Sequence, residues 1–364
     1  MKMNKLYEII RKTYKRMRMA SYIIPPRGNF SRILNEIKIQ SNKKYTIINA
    51  RPRKIGIYTS SRCNLSCHMC GYQSKESTGE YKSVRYPDMS FERFKHIMSF
   101  FPEACALTLT AEGEPFLNKD IFQMINYAKK DLKLFVDMTS NGICLNNEMA
   151  DQIISSKLDI LNISLDGTCF EEYNSIRGGT EDQFKTLVAN VKNLCSKVKS
   201  LNSSLEINVT FITTIVNYKQ LPKMIDFVIS LGVEGVQFQN VLDFETKFMS
   251  EHRPIYKSNK EAVSFINSIK KPDKIKRIIW PLVLDLDIIK SEHHINCHYP
   301  FTTIGVNTNG DVNLCCLVNT QESYGNIFKD YDVWNNKPFQ DIRQTLSKGK
   351  MPFKLCKTCP LSME

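Results

Sequence analysis

Six short apolar runs, separated by longer amphipathic stretches, constrain the architecture of this 364-residue chain more than any other feature. They lie at 54–60 (KIGIYTS), 106–110 (ALTLT), 133–139 (KLFVDMT), 159–165 (DILNISL), 205–212 (LEINVTFI) and 233–239 (VEGVQFQ). Their length and β-branched content read as strands, and the stretches between them read as helices. After the first run, Phe91, Phe94, Ile97, Met98 and Phe101 share one helical face with Ser90 as N-cap, and Asn118 and Asn217 can cap others. Six such units call for a parallel sheet with outer helices: an α/β fold, a partial (β/α)6 barrel with chemistry at the carboxyl ends of its strands.

At 42% hydrophobic residues the chain can fill one core of roughly two hundred residues and a smaller appended unit. No apolar run approaches the length of a membrane span and no signal segment is evident, so secretion is not expected. Seven of the twelve cysteines fall into two clustered sets, and Cys105, Cys144, Cys169, Cys195 and Cys316 are scattered. That usage suits a reducing cytoplasm.

Much of the +13 net charge lies in the first 54 residues. There Leu6, Ile10, Tyr14 and Met17 recur at helical spacing, while Lys2, Lys5, Arg11, Lys12, Lys15, Arg16 and Arg18 take most of the other face. This basic amphipathic helix either packs on the barrel with a solvated face or contacts a membrane surface. Nucleic acid is not an expected partner, because no aromatic stacking platform is interleaved with the basic residues.

The first cysteine set, Cys63, Cys67 and Cys70 in SSRCNLSCHMCGY, directly follows the first strand. Three thiolates so close together can hold three corners of an iron-sulfur cube and leave the fourth iron open to a small molecule. A structural zinc site completed by His68 is the alternative. The spacing and position resemble the radical S-adenosylmethionine (radical SAM) superfamily, with Met69 where that family has an aromatic residue. The resemblance implies a SAM-binding [4Fe-4S] cluster, with Met69 packing on adenine. After the second run, Ala111-Glu112-Gly113-Glu114-Pro115 resembles the family's Gly-Gly-Glu-Pro motif, which implies that Gly113 and Glu114 receive the SAM amino group, with Glu112 replacing the first glycine. Ser140-Asn141-Gly142 resembles its Thr-Asn-Gly turn. ISLDGTCFEEYNSIRGG resembles its Ser-x-Asp-Gly segment, which implies Ser164 and Asp166 near the ribose and methionyl groups and Arg177 on the SAM carboxylate. Gln237 is a further candidate at adenine.

A charged connector at 246–295, with a helix near 259–270, leads to the second set, Cys297, Cys315, Cys356 and Cys359. Four thiolates can close a cluster or bind zinc. Asn309-Gly310 reads as a two-residue hairpin that places Cys315 on the returning strand. With the GNI and Trp-Asn elements in YGNIFKDYDVWNN, this region resembles the Twitch form of the SPASM extension and implies an auxiliary [4Fe-4S] cluster. The longer cysteine series that builds a second auxiliary cluster is missing, which points away from sulfatase-maturase-like activity. The expected organisation is an N-terminal extension (1–52), the radical SAM barrel (53–245), the connector, and the auxiliary domain (296–364).

The resemblance implies an enzyme that cleaves SAM reductively to a 5′-deoxyadenosyl radical and takes hydrogen from an unactivated carbon. It implies a one-electron donor such as flavodoxin or ferredoxin. The sequence favours oxidation or epimerisation of a sugar-like or aminocyclitol-like substrate over maturation of a ribosomal peptide, because the roughly 50 residues before the barrel look short for a leader-binding domain. A non-catalytic metal protein contacting RNA or membrane is the remote alternative. Cys169, just after the Asp-Gly turn, and Cys316 are the thiols that could return hydrogen.

Overall fold

The computed structural model describes residues 21–23, 27–41, 46–75, 85–110, 112–244, 246–285, 297–315 and 324–359. All six expected strands form: β1 (Lys54–Tyr58), β2 (Ala106–Thr110), β3 (Phe135–Ser140), β4 (Ile160–Ser164), β5 (Glu206–Thr213) and β6 (Gly235–Asn240). They pair in parallel in chain order, as in Tyr58 opposite Thr110 and Ser164 opposite Thr210.

Three further strands extend this sheet. β7 (Arg277–Ile279), from the charged connector, adds to β6; β8 (Thr303–Val306) adds in parallel to β1, and β9 (Val312–Asn313) adds antiparallel to β8. The sheet order is β7-β6-β5-β4-β3-β2-β1-β8-β9, open at β7 and β9, so the barrel is partial. These three strands have two to four residues each, too short to show a period in the sequence.

In-register pairing sorts the side chains into two layers. Ile55, Ile57, Leu107, Leu109, Val136, Met138, Leu161 and Ile163 are fully buried beneath the helices. The other face carries Thr108, Thr110, Asp137, Thr139, Asn162, Ser164, Thr210 and Gln237, and is therefore polar. Near the amino ends Asp137 takes hydrogen bonds from Lys54 Nζ and Thr108 Oγ1, both at 2.9 Å. Towards the carboxyl ends Thr110, Thr139, Ser164 and Gln237 face an open cavity.

The helices form where apolar spacing and caps allow. α1 (Phe30–Ser41) precedes β1, and α2 (Phe91–Ser99) starts at Ser90, whose Oγ accepts from Arg93 N. α3 (Ile121–Lys130), α4 (Asn147–Ser155), α5 (Phe170–Arg177), α6 (Glu181–Ser200) and α7 (Leu221–Ser230) follow their strands, and α8 (Lys260–Ser268) lies in the connector. Asn118 Oδ1 accepts from Asp120 N at 2.8 Å in the turn that leads into α3, whereas Asn217 makes no side-chain cap. Asn118 Nδ2 donates to the Thr59 and Met89 carbonyls, and Asn217 Nδ2 donates to Ile212 O, so both tie loops together at the cavity end of the sheet.

The amino ends are closed by Tyr22, Ile23 and Ile33 packed on Cys105, Ala106 and Phe135. The C-terminal region docks through Trp334 Nε1, which donates to Ala50 O, and through the fully buried Arg343 of α9 (Lys337–Ser347), which donates to Pro300 O and Thr46 O. The expected basic helix over Lys2 to Arg18 lies outside the described residues. No helix among the described residues is long and apolar enough to cross a membrane.

Candidate active site

The loops after β1, β2 and β3, the end of α5 and the segment after β6 enclose a cavity of about 830 Å³. Cys63, Cys67 and Cys70 line it together with Met69, Gly113, Glu114, Ser140, Asn141, Ser164, Arg177 and Gln237. Residues spread over 170 positions of sequence thus converge because they lie in, at the end of, or after the strands of one sheet.

Each of the three sulfurs receives N–H donors. Leu65 N and Gln73 N donate to Cys63 and Cys70 at 3.4 Å, Asn141 Nδ2 lies 4.0 Å from Cys63 Sγ, and Arg177 Nη1 donates to Cys67 at 3.7 Å. Burial pushes the Cys63 thiol up to about 12 and that of Cys70 upward as well. Sulfurs ringed by donors yet removed from water suit thiolates whose charge a metal centre offsets. Among the described residues no three Cys, His, Asp or Glu side chains gather tightly enough for a single ion. The zinc alternative also loses its fourth ligand: His68 is exposed beside Gly178 and does not line the cavity.

The cysteine loop is held against the β2 loop by backbone contact. Glu114 N donates to Arg62 O at 2.7 Å, and a Cβ on Gly113 would stand 1.8 Å from that same oxygen, so only glycine fits. Gln73 Nε2 bridges the Ser61 and Glu112 carbonyls at 3.0 and 2.9 Å. The Glu114 carboxylate is 1% exposed and accepts from Ser140 Oγ, Asn141 N and Phe116 N. Burial pushes its carboxyl up, against those three bonds. Gly142, at φ +76°, completes the turn that aims Asn141 at Asn64 Oδ1, 2.6 Å away.

Asp166 departs from its expected position. It does not line the cavity: it is fully buried, accepts from Ile212 N at 2.5 Å and pairs with Arg177 Nε. The strand-ending turn at Gly167 directs it there, since a Cβ at Gly167 would lie 2.4 Å from Tyr173 N. Arg177 is accordingly engaged by Asp166 and Cys67. Desolvation pulls its pKa down, but Asp166 and Cys67 outweigh this and raise it. Cys169, the N-cap residue of α5 beside Glu171, also lies outside the cavity, so it is not placed to return hydrogen to a substrate there. Cys316 lies outside the described residues.

Several lining residues carried no sequence signal. Tyr72 and Phe244 meet with ring centroids 5.9 Å apart, joining the cysteine loop to the segment after β6. Phe238 stacks on Trp280 at 5.8 Å and 17°, and with Ile279, Leu282 and Val283 gives the cavity an apolar wall.

In the second set, Cys297, Cys315 and Cys356 are near enough for their charges to interact, and Cys359 N donates to Cys356 O across one turn. Burial pushes Cys356 up to about 12 and Cys297 to about 11, and nearby thiols add to both. Cys315 stands two residues past β9 rather than on it. The hairpin is a longer turn, with Gly310 N donating to Asn307 O and Gly310 at φ +87°, and the returning strand ends after two residues, short of Cys315. Thr358, between the last two cysteines, accepts from Asp243 N at 3.2 Å, which seats this cysteine turn beside the cavity residues Leu242 and Phe244.

An open, mostly parallel α/β sheet with three cysteines and polar strand ends in one cavity fits a protein that holds an iron-sulfur cluster beside a small-molecule pocket. The Radical SAM superfamily model matches residues 57–235, and the iron-sulfur cluster-binding SPASM domain model matches residues 297–360. The chain belongs to the radical SAM superfamily and carries a SPASM-type auxiliary domain; its cofactors are S-adenosylmethionine and iron-sulfur clusters.

A tungsten-containing aldehyde ferredoxin oxidoreductase cofactor-modifying protein of Pyrococcus furiosus is 24% identical over 220 residues, 58% of this chain and 57% of that protein. The chain thus spans little more than half of that relative. Streptococcus suis SuiB bound to S-adenosylmethionine is similar with TM-score 0.64 and 16% identity, over 97% of this chain and 83% of SuiB. SuiB bound to precursor peptide SuiA gives TM-score 0.63 and 17% identity over the same shares. The structure of anSMEcpe with bound AdoMet gives 0.61 and 19%, over 85% of this chain and 84% of that one. At these identities the likeness is one of fold.

Proposed function

We propose that this radical SAM enzyme matures a ribosomally made peptide by oxidising one of its unactivated C–H bonds, in a reducing cytoplasm and with electrons from a flavodoxin- or ferredoxin-like donor. This reading takes the place of the sugar-like or aminocyclitol-like substrate expected from the sequence. The observation that carries it is the fold match along 97% of the chain to a protein solved with a precursor peptide. The cavity supports it: beyond the cluster and SAM residues one wall is apolar, with Tyr72, Phe244, Trp280, Leu282 and Val283, while Thr110, Thr139 and Gln239 supply polar groups. Such a mixed lining matches a peptide, whose apolar side chains and backbone amides would find both kinds of partner.

Cys63, Cys67 and Cys70 would hold a cluster that, with SAM bound, would supply a 5′-deoxyadenosyl radical, and Cys297, Cys315, Cys356 and Cys359 would hold one able to accept an electron. The protein's part is placement. Gly113 and Gln73 lock the cysteine loop to the β2 loop, Glu114 fixes the Ser140-Asn141 turn, and the Tyr72, Phe244 and Trp280 rings keep water from the reacting carbon. Met69, Ser164 and Gln237 line the same cavity and would face SAM.

The test is to incubate the anaerobically reconstituted enzyme with SAM, dithionite and peptides encoded beside its gene, with a panel of sugars and aminocyclitols in parallel. The expected result is 5′-deoxyadenosine formed in step with loss of two hydrogens from a peptide. Oxidation of a sugar or aminocyclitol with every peptide unchanged would overturn the reading.

A further inference from the structure

The ion pair behind the cysteine loop is not explained by SAM binding alone. Asp166 is fully buried, fixed by Ile212 N, and paired with Arg177 Nε, while Arg177 Nη1 reaches Cys67 Sγ at 3.7 Å. Two backbone features hold this arrangement. His68 N donates to Ile176 O at 3.1 Å, linking the cysteine loop to the last turn of α5. Gly178, at φ +61°, ends the helix immediately after Arg177, and a Cβ there would come within 3.0 Å of the His68 ring. A guanidinium buried this deeply is retained only where its partners are fixed, and here one partner is a cluster-ligand sulfur.

We propose that Arg177, aimed by Asp166, sets the reduction potential of the first cluster by donating an N–H to the Cys67 sulfur. An N–H donated to a ligating sulfur, with the positive end of the ion pair the nearer one, stabilises the more negative, reduced state and so raises the potential. Asp166 is a positioning residue: it anchors the far edge of the fork and keeps the net charge of the pair at zero. The inference rests on Cys67 as a ligand and is independent of the substrate.

The test is an EPR-monitored redox titration of the reconstituted holoenzyme beside the double variant Asp166→Asn/Arg177→Gln, which removes both charges together. The first cluster's midpoint should move to a more negative potential, and the auxiliary cluster's should stay where it is. An unmoved first midpoint at full iron content would overturn the proposal. Should the double variant fail to hold its cluster, pulsed EPR of the wild-type protein carrying guanidinium-¹⁵N arginine decides. A ¹⁵N coupling to the reduced first cluster is expected, and its absence would overturn the proposal. Cys67→Ala tests the premise separately: full iron retention there would remove Cys67 as a ligand whatever the titration shows.

Discussion

Gly113 shows how much of this site is set by single atoms. Its α-carbon lies so close to Arg62 O that any side chain would drive the β2 loop off the cysteine loop. A shift on the order of 1 Å costs about a hundredfold where reacting groups must be aligned. Gly113→Ala is therefore expected to keep its iron yet cleave SAM about a hundredfold more slowly in single-turnover assays; cleavage at the wild-type rate would show that the contact is dispensable. The cysteines, Gly113, Glu114, Ser140 and Asn141 were legible because each ends or follows a strand at a motif's spacing. Asp166 was legible as a residue but not in its role, because Arg177 and Ile212 N reach it only after α5 and β5 have folded around it. Gln73, Tyr72 and Trp280 gave no signal: a bridging amide and a lining ring have no periodicity.

At the scale of elements, the amino ends of the strands are tied by a network remote from the chemistry. Tyr22 Oη donates to Asp159 Oδ1 at 2.6 Å, Lys129 Nζ pairs with Asp159 Oδ2, and Arg32 of α1 donates to the Leu132 and Lys133 carbonyls. Lys129 and Asp159 have side chains only 9% and 6% exposed, so breaking the pair strands a buried charge. Asp159→Asn is expected to cost about 3–5 kcal/mol, read as a lower urea midpoint, with SAM cleavage by the folded protein unchanged. An unmoved midpoint would make the pair structurally idle. The six long strands were readable from their apolar runs. α1 was not, because Arg32, Asn35 and Glu36 are buried in it and break the apolar stripe that marks a packed helix. β8 was missed for a related reason: its four residues are all buried and pair with β1, some 250 positions earlier in the chain.

For the whole molecule, the sheet makes barrel and auxiliary domain one body. β8 and β9 continue the sheet from β1, Trp334 and Arg343 are buried against the segment that leads into it, and Thr358 joins the last cysteine turn to the cavity rim through Asp243. The two sets of thiols should then serve separable ends. Cys356→Ala/Cys359→Ala is expected to lower iron from about eight to about four per chain, while reductive SAM cleavage continues without peptide product. The central claim, that three cysteines hold a cluster open to SAM, is tested most directly by quantifying 5′-deoxyadenosine from anaerobic, dithionite-reduced protein in which Cys63, Cys67 or Cys70 is replaced by Ala. Each single replacement should abolish 5′-deoxyadenosine while the auxiliary cluster's iron remains. Wild-type amounts of 5′-deoxyadenosine from any one of the three would contradict the account.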